Sequence, residues 1–515
     1  MLNKTPLAYL YWLTLAWGVA IFWIAPHTPL TDLPQHAGQI ALLNDLLFGQ
    51  PTWGELFNIN LLTPYLSTYA VATALSQAMS IANAFKLLLS IGYLAFVCTC
   101  IQLRKHFKVS PRLDWLFVLP FFGFAYQYGF LSFVLSAPIG LWFILVADQY
   151  AENTTKSIAI KLTAIGLLLL MSHGLMFLFA LGVGAAFLLI KNYAVATSLK
   201  MKSLALKILP YVILTLAFGF IFMANAHTNK ALGLAEYSIE ASQNGLKNLE
   251  LIRIPQAFFY TLAGSKISIY PLVHIPVMVI LLAAPWLFGL RIQVRNLPAN
   301  LFFIAIATLF ALVPGYIFGT YFVYQRFSIF IIPSYALLFT LQTKHANSTL
   351  IPNITLALLI AACWSTLALN TVRAFSFKKE AAGFEQLITQ LKPGQKALAL
   401  ILDPISKADN NSIAYTHYPL WYQAEKNGVV YDNFAIYAPM PVRFKPGHVH
   451  LGYEHADANT FEWLKHQGGL YTYFFVRTAA DGEIPQSWFK NAPCQPKLIA
   501  RDGQWRIYQN QVCKK

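Results

Sequence analysis

The sequence predicts an all-α polytopic membrane domain followed by a small α/β extracytoplasmic domain. Three observations carry that prediction. Of the 515 residues, 57% are hydrophobic and only 11% charged, where a soluble globular protein carries roughly a quarter charged residues. Apolar runs of roughly the length that crosses a bilayer recur from Leu7 to Leu369 and then stop. From about Phe384 onward the pattern becomes one of short strands and capped helices.

The elements follow in order. The opening "MLNKTPLAYLYWLTLAWGVAIFWIAP" has Lys4 ahead of a long run rich in Trp and Tyr. It lacks the short core and small-residue cleavage site of a signal peptide, so a retained first span is expected. Further apolar segments fall near 64–80, 84–102, 113–128, 130–147, 160–190, 204–224, 272–290, 299–318, 327–342 and 350–369. That makes about eleven spans. The long 160–190 run reads either as one tilted helix or as a broken pair. Pro120, Pro138 and Pro314 suggest kinks. The membrane domain is expected over 1–375, with a first outer loop at 27–63 and the soluble domain at 380–515.

The formal charge of +16 is distributed as a topology signal, which argues against a nucleic-acid partner. Basic clusters without acids lie in "RKHFKVSPR" (104–112) and between Lys191 and Lys207, and Arg291 and Arg295 flank another run. Lys4 places the N-terminus inside, so the loop from Pro26 to Thr63, with Asp32, Asp45 and Glu55 but no Lys or Arg, falls outside. The last span then delivers the tail to the same side, as expected for a multi-pass protein of a bacterial inner membrane. If 64–80 and 84–102 both cross, the basic 104–112 loop falls outside too, a conflict that the sequence leaves open. Cys98, Cys100 and Cys363 lie in apolar runs as packing residues. Cys494 and Cys513 lie in the polar tail; if they pair, the tail faces an oxidising compartment.

In the tail, "KALALIL" (396–402) and "LYTYFFV" read as strands, and "RDGQWRIYQ" as part of a hairpin with Asp-Gly at its turn. "SIAYTHYPLWYQAEKNG" and "DANTFEWLKHQGG" read as helices, each closed by glycine.

The stretch "HTPLTDLPQHAGQIALLND" (27–45) carries the most chemistry. Proline suits a first helical turn and Asp is a preferred N-cap. Asp32 is therefore expected to cap a helix from Leu33 to about Phe48. Leu33, Ile40, Leu43 and Leu47 share one face, with Gln35, Gln39 and Asp45 elsewhere, as in a short amphipathic helix lying along a membrane surface. That helix would present Asp32 and His36 together. Asp32 is either a cap alone or a base; His36 is either an exposed interfacial residue or part of a site. Two such residues are fewer than the ligands usual for zinc.

These features resemble glycosyltransferases of the GT-C fold, which carry an acid in the first outer loop, many spans and an outer soluble domain. "TDLPQHAGQIALL" looks more narrowly like the D-L-P-x-H loop of a bacterial membrane-protein group near that superfamily. "TPYLSTYAVATALS", "FGFAYQYGFLSFVLS", "LMSHGLMFLFAL" and "YQRFSIFIIP" also resemble that group, as does "HYPLWYQAEKNG" more weakly. The resemblance implies transfer of a sugar from a polyprenyl-phosphate-linked donor to an envelope glycan, lipid or protein. Asp32 would be general base, with His36 orienting it or touching phosphate. A leaving phosphate needs positive charge, for which Arg326 is the candidate, with Lys266 the alternative. His173 is a further candidate substrate contact, or bonds a carbonyl of a neighbouring helix. Relatives in that superfamily often pair the first acid with another. Here residue 33 is Leu, and the loop at 225–270 offers Glu236, Glu240 and Glu250 without a motif. A divalent metal is therefore not favoured as cofactor.

No phosphate-binding P-loop, dinucleotide fingerprint, C-x-x-C, H-E-x-x-H or G-x-S-x-G occurs. A soluble nucleotide-activated donor is thus disfavoured. Two rivals stand beside the enzyme: a transporter or lipid flippase, for which related halves would be expected, and a non-catalytic scaffold with the same fold.

Overall fold

The computed structural model describes residues 6–49, 52–192, 201–231, 250–262, 271–317, 320–341, 350–437, 439–448, 458–479 and 482–511. Among these the helices, in order, are α1 (Pro6–Ile21), α2 (Leu33–Phe48), α3 (Leu66–Ser76), α4 (Ile81–His106), α5 (Phe124–Tyr128), α6 (Leu131–Glu152), α7 (Lys156–Leu170), α8 (Gly174–Lys191), α9 (Met201–Ala231), α10 (Arg253–Tyr260), α11 (Pro271–Leu287), α12 (Leu297–Leu312), α13 (Ile331–Leu337), α14 (Leu350–Thr389) and α15 (Leu420–Lys426). Five of them, within α4, α6, α8, α9 and α14, are long and apolar enough to cross a membrane. Shorter apolar helices add to these at Pro6–Ile21, Leu272–Leu287 and Leu297–Leu312.

Several expected spans take another form. Residues 113–128 fold as two 3-10 turns, Pro111–Phe117 and Pro120–Phe122, followed by α5. Pro120 lacks the N–H that a continuous helix requires, and Gly129 closes α5 in the left-handed region at φ 91°. The 327–342 run likewise divides into a 3-10 turn (Gln325–Phe330), α13 and a short strand. The 160–190 run is a broken pair, α7 and α8, with His173 at the break.

The chain forms two compact units: Met1–Phe22, Leu87–Ala224 and Ala235–Thr371 make one; Trp23–Lys86, Asn225–Leu234 and Val372–Lys515 make the other. In the first, α6, α7 and α8 pack through small residues, as apolar helices do when backbones must approach. A Cβ on Gly166 of α7 would meet Phe143 of α6 at 3.1 Å and Leu214 of α9 at 2.5 Å, and one on Gly184 of α8 would meet Ala147 of α6 at 2.9 Å. The basic "RKHFKVSPR" segment is partly neutralised here, Arg104 pairing with Asp114 at 2.8 Å, and His106 Nε2 lies 2.7 Å from Asp148 Oδ2.

The second unit is built on a mixed five-stranded sheet. We label its strands with those of the first loop: β1 (Phe57–Ile59), β2 (Lys396–Ile401), β3 (Val429–Tyr431), β4 (Val442–Phe444), β5 (Tyr473–Arg477), β6 (Lys497–Asp502) and β7 (Trp505–Gln509). The sheet order is β6-β7-β5-β2-β3, with β2 parallel to both β3 and β5. Parallel neighbours need a crossover, and α15 supplies it between β2 and β3. The Asp-Gly hairpin forms as expected, β6 pairing with β7 around Gly503 at φ 52°. The helix expected over 457–469 does not: only short 3-10 turns occur there, at Ala458–Thr460 and Gly468–Leu470. Of the expected 412–428 helix, only Leu420–Lys426 is helical. Cys494 is disulfide-bonded; Cys513 lies outside the described residues.

The first loop groups with this unit, Trp23–Lys86 joining Val372–Lys515. β1 pairs antiparallel with β4, Asn58 opposite Arg443. α2 does not present an exposed polar face: Leu33 to Leu43 and Asp45 are all buried. Its amides meet backbone of the tail. Gln35 Oε1 accepts from Phe434 N at 2.8 Å, Gln39 Oε1 accepts from Val442 N at 3.0 Å, and Gly38 O accepts from Gln423 Nε2 at 3.0 Å. A buried oxygen without a donor is costly, and each of these three oxygens has a donor from the tail. Asp45 is spent the same way, accepting from Thr52 N, Trp53 N and Asn427 Nδ2.

Candidate functional site

Asp32 occupies the N-cap position of α2, at the positive end of its dipole. The expected side-chain cap is absent: the backbone is helical at φ −93°, ψ −5°, and the carboxylate makes no capping bond. Pro34 fills the first turn, and Asp32 O accepts from His36 N at 3.2 Å. Asp32 is buried to 9% exposure. Its Oδ1 lies 3.7 Å from His417 Nε2.

His417 comes from the turn before α15. Its Nδ1 lies 3.0 Å from Gln35 Nε2 and 4.0 Å from Asp432 Oδ2. Gln35 Nε2 also donates to Asp432 O at 2.8 Å. Asp432 sits at φ 84°, in the left-handed region that side chains rarely adopt. Such strain persists where surrounding structure fixes it. Here Asn433 accepts from Ala435 N and donates to Val430 O.

His36 is buried one turn along α2, its Nδ1 at 2.6 Å from the Tyr69 hydroxyl. Phe434 stands edge-on to both His36 and His417, at 5.5 and 6.4 Å between ring centres. His27, where the loop begins, stacks on Trp421 at 3.9 Å. Its two ring nitrogens meet Glu385 at 3.0 Å and Glu425 at 2.6 Å. Burial of the imidazole opposes its charge, yet the two carboxylates outweigh that, and its pKa is raised above the ordinary 6.5.

Sequence reasoning missed His417, Asp432 and the role of Gln35. The signal for His417 was present in "HYPLWYQAEKNG", which carries part of the resemblance, but nothing local distinguishes that histidine. Asp432 is marked only by its backbone conformation.

Arg326 and His173 lie in the other unit. Arg326, on a 3-10 turn, places its guanidinium carbon 3.5 Å from the centre of the Phe130 ring, and Nη2 donates to Tyr321 O at 2.9 Å. His173 is buried, edge-on to Phe133 at 5.2 Å between ring centres. Both therefore sit against the first turn of α6. Arg253 pairs with Glu250 and lies over the ring of Tyr324, two residues before Arg326, at 4.6 Å. An apolar cavity of about 350 Å³ in this unit is lined by residues of α10 and α11, among them Phe258, Phe259, Ile275 and Met278. Lys266, Glu236 and Glu240 lie outside the described residues. Among the described residues, no cluster of three or more His, Cys, Asp or Glu is placed to hold a metal ion.

No protein-family model and no curated protein matches the sequence. The structure is similar to that of ArnT from Cupriavidus metallidurans. It matches the form bound to undecaprenyl phosphate with a TM-score of 0.58 and 11% identity, over 98% of each chain. It matches the apo form with a TM-score of 0.54 and 13% identity, over 98% of this chain and 99% of that one. At such low identity the likeness is one of fold alone: this chain shares the fold of ArnT.

Proposed function

We propose that this GT-C-fold chain is an integral membrane glycosyltransferase, moving a sugar from a polyprenyl-phosphate-linked donor to an envelope glycan, lipid or protein. The observation that carries the reading is Asp32. It is a buried carboxylate at a helix start, not used as a cap, in the loop where the fold's glycosyltransferases are expected to hold their acid. ArnT with bound undecaprenyl phosphate supports a lipid-linked donor, as does the apolar cavity between α10 and α11, which suits a hydrocarbon chain.

In this reading the acceptor hydroxyl oxygen attacks the anomeric carbon and its proton passes to Asp32. The bond from that carbon to the phosphate oxygen breaks, its electron pair leaving with polyprenyl phosphate. A base so placed contributes roughly 10²–10⁴ in rate. Arg326 is the residue we assign to the phosphate, since a guanidinium presents several donors to phosphate oxygens. His36 supports the loop through Tyr69; His173 and Lys266 are secondary candidates for substrate contact. The reaction would take place at the outer face of a bacterial inner membrane, with the first loop and the tail together on that side.

The test is transfer of radiolabelled sugar from a panel of polyprenyl-phosphate donors to membrane extract, comparing wild type with Asp32→Asn in nanodiscs. Transfer that drops by about 100-fold or more in a folded Asp32→Asn protein is expected. Undiminished transfer would reduce Asp32 to a structural residue. No transfer with any donor would shift weight to transport or to a scaffold.

A further inference from the structure

We infer that His417 is the positioning residue for Asp32, locked by Gln35 as the neutral Nε2–H tautomer, so that it donates to the carboxylate and never serves as the base. The inference rests on Asp32 being the base, and it names the partner through which that base is aimed.

The tautomer follows from hydrogen-bond logic. A backbone N–H can only donate, and Phe434 N lies 2.8 Å from Gln35 Oε1. That fixes the amide, with its oxygen towards Phe434 and its nitrogen on the other side. The nitrogen carries two hydrogens and has two neighbours: Asp432 O at 2.8 Å and His417 Nδ1 at 3.0 Å. Nδ1 therefore accepts, and a neutral ring keeps its proton on Nε2. Nε2 is the atom that faces Asp32 Oδ1, at 3.7 Å. This is slightly beyond hydrogen-bond length, and such contacts tighten when substrate enters.

The arrangement is the reverse of the hydrolase triad, where a carboxylate takes the Nδ1–H and leaves Nε2 as base. Here a proton added at Nδ1 would set N–H against the Gln35 N–H. The ring stays a donor facing Oδ1, and the carboxylate stays the group that receives the acceptor's proton. Among the described residues, Asp32 lies on one side of His417 and Asp432 on the other, with His36 beyond Phe434. The left-handed backbone at Asp432 turns its carbonyl onto Gln35, which is what holds the amide in place.

Two measurements on the full chain in nanodiscs test this. Ring-¹⁵N histidine labelling reads the tautomer by magnetic resonance, with the His417 signal assigned by its loss in His417→Gln. A neutral Nε2–H signal near pH 7 is expected, changing to mixed tautomers in Gln35→Leu. An Nδ1–H or imidazolium signal in the wild type would overturn the lock, whether or not any transfer is detected. The kinetic arm compares His417→Gln, whose amide N–H reaches the place of Nε2, with His417→Leu. The leucine variant should lose at least about 10-fold in kcat with KM little changed, because a misaimed group costs rate rather than binding. Its acid limb should move to higher pH, and the glutamine variant should recover much of both. Equal losses in the two variants, with both folded by thermal unfolding, would refute the donor role. A fully active Asp32→Asn protein would sink the base reading itself, a failure separable from the tautomer result.

Discussion

Glu385→Gln should destabilise this protein several-fold more than Glu425→Gln, because the two carboxylates hold one buried imidazolium from sides of different exposure. Both partners of His27 are acceptors, so the ring satisfies them only by carrying two protons. Its side chain is 5% exposed, that of Glu385 20% and that of Glu425 40%. Removing one partner of a fully buried pair costs about 3–5 kcal/mol. Glu385 is not fully buried, and it also accepts from the Tyr418 hydroxyl at 3.1 Å, so about 2–3 kcal/mol is expected for its loss. Glu425 is screened by solvent and should cost about 1 kcal/mol or less. At about 2–4 °C per kcal/mol for a domain of this size, Glu385→Gln should lower Tm by about 5–10 °C. The same ring sets the pH dependence. Its pKa is raised on folding, so its stabilisation is fully present below the unfolded value of about 6.5 and fades as pH rises through the folded value. The assay is thermal unfolding in nanodiscs at a fixed scan rate, from about pH 5.5 to about pH 9, for wild type, both glutamine variants and His27→Gln. The gap between wild type and His27→Gln should be widest at the acid end. A gap that stays flat across pH, or a larger loss from Glu425→Gln, would refute the reasoning.

Two further outcomes follow. Gly123→Ala should prevent accumulation of folded protein, since a Cβ there would lie 2.8 Å from Tyr260 O and 2.9 Å from Thr261 O, both backbone. Gly182→Ala on α8, with nothing within 4 Å of the new atom, should instead be neutral or stabilising by about 0.5–1 kcal/mol. Expression and thermal unfolding of the two variants side by side check both. Arg326→Lys should raise KM for the lipid donor about 10-fold with kcat less affected, because a lysine does not reproduce the planar guanidinium over Phe130 that also reaches Tyr321 O; initial rates across donor concentration check it.

The sequence carries the class of this protein plainly, because exclusion from water leaves its mark on every apolar run. The tail is legible for a similar reason: the strands at Lys396–Ile401 and Trp505–Gln509 have local pattern, and Asp-Gly marks their neighbour's turn. Apolar content does not encode continuity, however. Residues 113–128 are as apolar as a span, yet Pro120, Gly123 and Gly129 break them into turns. The α2 helix is misjudged for the opposite reason. Gln35 and Gln39 read as solvent positions, and their burial depends on Phe434 and Val442, some four hundred residues away in sequence. No window of local sequence contains that pairing.

The same separation decides what Asp32 can be. From sequence, a cap and a base are the same residue in the same place, and only the backbone at φ −93°, ψ −5° removes the cap. What gives the carboxylate a defined direction is then His417 and the Gln35 amide, and Gln35 is itself held by Phe434 N and Asp432 O. Remove the tail, and α2 loses the partners of Gln35, Gln39 and Gly38 O together. Water then replaces those partners and meets the apolar side chains the tail had covered, and an isolated helix of 16 residues is only marginally stable in water. The first loop therefore has no conformation of its own in which Asp32 is aimed. The acid and the tail that orients it are one functional element, although the chain separates them by most of its length.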